Sequence, residues 1–205
     1  MKLLSKIFLL SLGILARAIA HANDAQVMEM HGFKFECEKV GLRQVERMRS
    51  SLERQIAIVE EANVPAAVLE YFKSVPIVIV PSLKTKEFGH ARVDAGRQIV
   101  ELRVADIPRD RPILLHELLH AFHGQKLGPT PIIRDSYRQA LSIYPKRFAH
   151  AHFLENPHEY FAVIGSIFLY GKPIDQPPFD CEIAAKQQPQ FIAFLTEQFG
   201  PHRCK

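Results

Sequence analysis

The sequence of 205 residues predicts an α+β fold: a small sheet, then one motif-bearing helix, then a mainly helical C-terminal part. Three observations carry this expectation. Strand-like patterns at residues 76–81 and 98–104 come first, and helical patterns dominate everything after them. The helix between the two regions is apolar around most of its circumference, so it belongs inside the fold. No repeat, low-complexity stretch or second change of composition divides the chain. It is expected to hold one domain at 23–205, preceded by an export signal at 1–22.

Each element has a local cause. Lys2 and Lys6 precede a short apolar core at 7–16, and Ala18-Ile19-Ala20 and Ala20-His21-Ala22 offer small-x-small cleavage sites. That core is too short to span a bilayer. Residues 40–63 place Val45, Met48, Leu52, Ile56 and either Ile58 or Val59 on one helical face. Residues 76–81, Pro-Ile-Val-Ile-Val-Pro, form a strand closed at both ends by proline. Residues 89–96 fall between two glycines and suggest a turn, and 98–104 suggest a second strand. Asp110 and Pro112 mark the start of a helix over 113–122, and Gly124 its stop. Thr130 caps a helix at 132–143. Asn156-Pro157 opens another that runs to Leu169, and a proline-rich linker leads to the last, 189–199.

The helix at 113–122 contains His116-Glu117-Leu118-Leu119-His120, an H-E-x-x-H motif. Residues four apart lie one above the other on a helix, so the two imidazoles can grip one metal ion. Glu117 stands beside them as a general base for a metal-activated water. The bland alternative is two hydrogen-bonded core histidines and a salt-bridged glutamate. Burying three such groups for packing alone is costly.

A catalytic zinc site usually has three protein ligands. The continuation that supplies a third histidine after a glycine is excluded, because His123 and Lys126 occupy those places. Glu159, in the first turn of the helix that Asn156 opens, is the best remaining candidate. The same spacing is also that of a capping box, in which Glu159 would only bond back to the backbone. The local pattern leaves both readings open.

The run from Leu114 to Ala121, together with Asn156-x-x-Glu159-Tyr160-Phe161-Ala162, resembles the gluzincin branch of zinc peptidases. It is most similar to the lethal-factor-type metallopeptidase domain of anthrax toxin and its secreted bacterial relatives. The resemblance runs from about residue 75 to 199 and implies a zincin-like metallopeptidase fold. It implies Zn2+ held by His116, His120 and Glu159, with Glu117 as base. It also implies an extended peptide docked along residues 98–102 by β-strand addition. Two positions depart from the family: Val163 stands where a glutamate is frequent, and His152 stands where a tyrosine supplies an oxyanion donor. An imidazole can serve as that donor, which makes His152 a candidate catalytic residue. Tyr160, Tyr144 and Tyr137 are the fallback donors, and His123, His150 and His158 are expected to be structural or exposed.

The function expected is therefore an exported zinc-dependent peptidase, periplasmic or secreted, acting on a peptide or protein substrate. The alternatives are a non-catalytic periplasmic zinc- or peptide-binding protein, and a structural domain with an accidental motif. The formal charge of +4 includes Lys2, Lys6 and Arg17, so the chain without its signal stands near +1. That balance offers no basic face for nucleic acid. No stable membrane insertion is expected after signal cleavage. Of three cysteines, Cys181 and Cys204 are the favoured disulfide, with pairings of Cys37 as alternatives.

Overall fold

A computed structural model describes residues 27–37, 40–84, 87–144, 146–172 and 181–201. The expected signal at 1–22 and Cys204 lie outside the described residues. Among them the fold is α+β, with five strands in one mixed sheet and seven α-helices. The described residues begin with a hairpin of β1 (Val27–Met30) and β2 (Phe33–Glu36) that the sequence patterns do not reveal. Its two turn residues, His31 and Gly32, both have positive φ, which matches the twist of the flanking strands. Next come α1 (Leu42–Glu61), α2 (Ala66–Ser74), β3 (Ile77–Val80), β4 (Gly89–Asp94) and β5 (Arg97–Arg103). The sheet order is β1-β2-β3-β5-β4, parallel at β2/β3 and β3/β5 and antiparallel at both ends.

The region 89–96 is thus a strand and a tight turn rather than a turn alone. Ala95 and Gly96 carry the β4–β5 connection with φ of 47° and 78°. Ala95 occupies a left-handed conformation that its Cβ disfavours. Ala95→Gly is expected to stabilise the fold by about 0.5–1 kcal/mol, read as a higher denaturation midpoint.

The helical part consists of α3 (Ile113–Phe122), α4 (Pro131–Ile143), α5 (Pro157–Tyr170), α6 (Cys181–Gln187) and α7 (Pro189–Phe199). As its apolar circumference requires, α3 is central, packed against β4 and β5, α1 and α5. Leu114, Leu115, Leu118 and Leu119 are fully buried. They share one core with Leu52 and Ile56 of α1, Val100 and Leu102 of β5, and Ile164 and Phe168 of α5. Gly165 lets Leu119 seat against α5: a Cβ there would stand 3.1 Å from Leu119 Cδ1. Cys37 is buried and free, so no disulfide uses it, whereas Cys181 is disulfide-bonded.

No helix among the described residues is long and apolar enough to cross a membrane.

Candidate metal centre

The start of α3 is anchored from a distance. Pro112 precedes the helix without a side-chain cap, so Asp110 does not play the part its position suggests. Gln55 of α1, 1% exposed, does so instead. Its Nε2 donates to Arg111 O at 2.8 Å, and its Oε1 accepts from the Leu114 N–H at 3.0 Å. One otherwise orphaned helical donor is thereby satisfied inside the core. Ser51 and Arg54 bind Asp106 and hold the preceding loop on α1.

The far end of α3 does not stop at Gly124. It widens into one π-helical turn, His123–Leu127, and ends at Gly128 with φ of 58°. Gly124 is small for another reason: a Cβ there would meet Gln98 Nε2 of β5.

Within α3, His116 and His120 lie edge to face, with ring centroids 4.6 Å apart and Nε2 atoms 3.1 Å apart. Glu159 reaches them from α5. Asn156 caps that helix by accepting the N–H groups of His158 and Glu159 at 2.9 and 3.0 Å. The Glu159 carboxylate meanwhile points to the histidines, its Oε2 3.1 Å from His120 Nε2 and 3.4 Å from His116 Nε2. Both sequence readings of this turn are therefore half realised: Asn156 caps, and Glu159 serves the cluster.

These separations suit a cation. An ion held tetrahedrally at about 2.0–2.1 Å by nitrogen and oxygen has ligand atoms about 3.3 Å apart. The three edges of the His116, His120 and Glu159 triangle are 3.1, 3.1 and 3.4 Å. His152 joins from the single 3-10 turn His152–Leu154, its Nε2 2.8 Å from Glu159 Oε2. The group of His116, His152 and Glu159, with ligand atoms all within 4.8 Å of one another, could equally hold a metal ion.

The protein's own charges prepare these groups. Burial holds the His116 imidazole down to about 4 and so keeps it neutral, as a ligand must be. Burial works against ionisation of Glu159, yet hydrogen bonds from His116, His120 and His152 prevail and keep its carboxyl well below the usual range. A hydrogen bond to Glu159, reinforced by one to Glu155, lifts His152 to about 9.

Glu117 is 6% exposed, and that burial pushes its carboxyl up to about 7. The Ala91 N–H of β4 bonds to it. Gly89 makes its room: a Cβ on Gly89 would stand 2.7 Å from Glu117 Cγ. Neither Gly89 nor Ala91 has a sequence signal beyond being small. Gly89→Ala is expected to displace the Glu117 carboxylate. On the reading below, it should lower kcat by about 10²-fold with metal content unchanged.

The cluster opens into a cleft of about 870 Å³ between β4, α3 and α5. Here the expected docking strand is corrected. Residues 98–102 belong to β5, which is paired on one side with β3 and on the other with β4, so among the described residues the open edge is β4. The Arg103 N–H bonds to Phe88 O at 2.9 Å, which fixes the alternation of the ladder. Gly89, Ala91 and Val93 thus turn their N–H and C=O groups outward, toward the cleft they line.

The fallback donors lie elsewhere. Tyr137 donates to Leu154 O, Tyr144 packs on Phe153, Tyr160 is buried against Phe191, and none of them lines the cleft. His123 is buried and stacked on His158, 4.4 Å between centroids, apart from the cluster; His150 is exposed. No family model, characterised protein or solved structure matches the chain.

Proposed function

We propose that the protein is a zinc-dependent peptidase of the gluzincin type with a zincin-like fold, exported from the cell. The observation that carries this reading is the triangle of His116 Nε2, His120 Nε2 and Glu159 Oε2 at tetrahedral ligand spacing, with the buried Glu117 carboxylate alongside. Zinc bound there would supply Lewis acidity, polarising a scissile carbonyl and acidifying water.

The chain's own residues do the rest. The outward N–H and C=O groups of β4, other than the Ala91 N–H that Glu117 engages, hold an extended peptide by strand addition. Glu117, seated against the Ala91 N–H, takes a proton from the water that attacks the scissile carbonyl and delivers it to the leaving amine nitrogen as the C–N bond breaks.

The test is incubation of the zinc-loaded protein with a mixed peptide library and mass-spectrometric search for new termini. Cleavage that a zinc chelator abolishes supports the reading. Stoichiometric zinc with no new termini would favour the second reading, a non-catalytic zinc- or peptide-binding protein. The presence of a further imidazole, His152, at the ligand cluster favours that alternative, whereas a binding site has no use for a base such as Glu117.

A further inference from the structure

We infer that His152 is a fourth, exchangeable ligand of the metal ion, which caps the site at rest and yields its place to substrate. The inference rests on the metallopeptidase reading for the ion and for what displaces the cap. Three observations support it.

First, His152 Nε2 faces the cluster at coordination spacing. It lies 2.8 Å from Glu159 Oε2, and a ligand atom of His152 is within 4.8 Å of those of His116 and Glu159. The His152 and His116 rings are 5.6 Å apart, inclined at 31°. Glu159 Oε2 thus has three Nε2 atoms around it, at 2.8, 3.1 and 3.4 Å. One ion held by His116, His120 and Glu159 would therefore have His152 Nε2 beside it, next to Glu159 Oε2.

Second, His152 carries the outer partner that metal-bound histidines have. Its Nδ1 lies 3.0 Å from Glu155 Oε1, so the carboxylate fixes the ring orientation and presents Nε2 inward. A ligand requires a lone pair on Nε2, so the proton that Nε2 gives to Glu159 in the ion-free cluster leaves when an ion enters, while the Nδ1–H stays on Glu155.

Third, His152 is the member of the set best placed to leave. His116, His120 and Glu159 project from α3 and α5, and their side chains are 16%, 13% and 19% exposed. His152 is 29% exposed, lines the cleft, and stands at the first position of a three-residue turn. Phe153 and Leu154, both buried, pin that turn from the other side. A rotation of the His152 side chain alone would open the fourth position without disturbing the helices. In this reading His152 acts on the ion, rather than as the oxyanion donor its sequence position suggests.

The experiment replaces zinc with Co2+ and counts exchangeable, hyperfine-shifted imidazole N–H signals by proton NMR, with cobalt stoichiometry measured on the same sample. Three signals are expected for the protein, and two for His152→Phe with cobalt still bound. Acetohydroxamate, a small bidentate chelator standing for substrate, should reduce the unsubstituted protein from three signals to two. Two signals at one cobalt per chain before any addition would show that His152 is not a ligand and leave the peptidase reading intact. Three signals that persist with hydroxamate bound would overturn the exchange. Failure of the unsubstituted protein to hold cobalt or zinc would sink the inference and the metallopeptidase reading together. The count on the unsubstituted protein is decisive by itself, so misfolding of the variant would not rescue the idea.

Discussion

Glu117→Gln is expected to lower kcat for peptide hydrolysis by about 10²–10⁴-fold, the usual contribution of a positioned general base, and to leave metal stoichiometry unchanged. The amide is isosteric with the carboxylate and its oxygen can still accept the Ala91 N–H, so the neighbourhood shaped by Gly89 is preserved. What disappears is the ability to take a proton. Glu117 supplies none of the three ligand atoms at coordination spacing, so the ion has no reason to leave. Elemental analysis beside steady-state kinetics checks both halves. An ion lost with the substitution would mean that Glu117 is a ligand and that the roles have been assigned wrongly.

Glu159→Ala is the complementary case, in which the ion is expected to go and the fold to stay. Its Oε2 is the atom on which His116, His120 and His152 converge. Removing it takes away the only anionic member of that group. Affinity should fall by more than the 10–100-fold that loss of an outer-shell partner costs. The α5 start should survive, because Asn156 caps it through backbone N–H groups and does not use the Glu159 carboxylate. Far-UV circular dichroism is therefore expected to be unchanged while zinc content drops well below one per chain. Retention of a full complement of zinc would return Glu159 to a structural role.

The parts of this site legible in the sequence are those written in a local code. Two histidines four apart in an apolar run state their geometry outright, because the helix supplies it. Glu159 is legible only as one of two readings, since a capping box and a ligand ask for the same spacing; the tertiary approach of α5 to α3 brings its carboxylate to the histidines while Asn156 caps the helix. His152 was legible by position, but its partners, Glu155 and Glu159, are a matter of how one short turn packs.

Non-local features left less trace. Gln55 sits on an otherwise apolar helical face, and nothing near it in the chain reveals that it caps α3 from another element. β4 looked like a turn because its inward positions, Gly89 and Ala91, are small. Gly89 is small because Glu117 occupies the space its Cβ would fill. The hairpin at the N-terminal end of the sheet was missed because His31 carries a positive φ usually left to Gly or Asn.

The two arms of the cluster lie far apart along the chain, His120 and Glu159 being 39 residues distant, with all of α4 between them. A cation bridging them acts as a removable cross-link, and it has no counterpart in the unfolded chain, where those side chains do not meet. By linkage, free metal at a thousand times its Kd would add about 4 kcal/mol to the stability of the folded state. The melting temperature should therefore climb with metal concentration. On this reading the zinc supply governs how long each molecule survives as well as how fast it turns over. A molecule stripped of its ion opens more often.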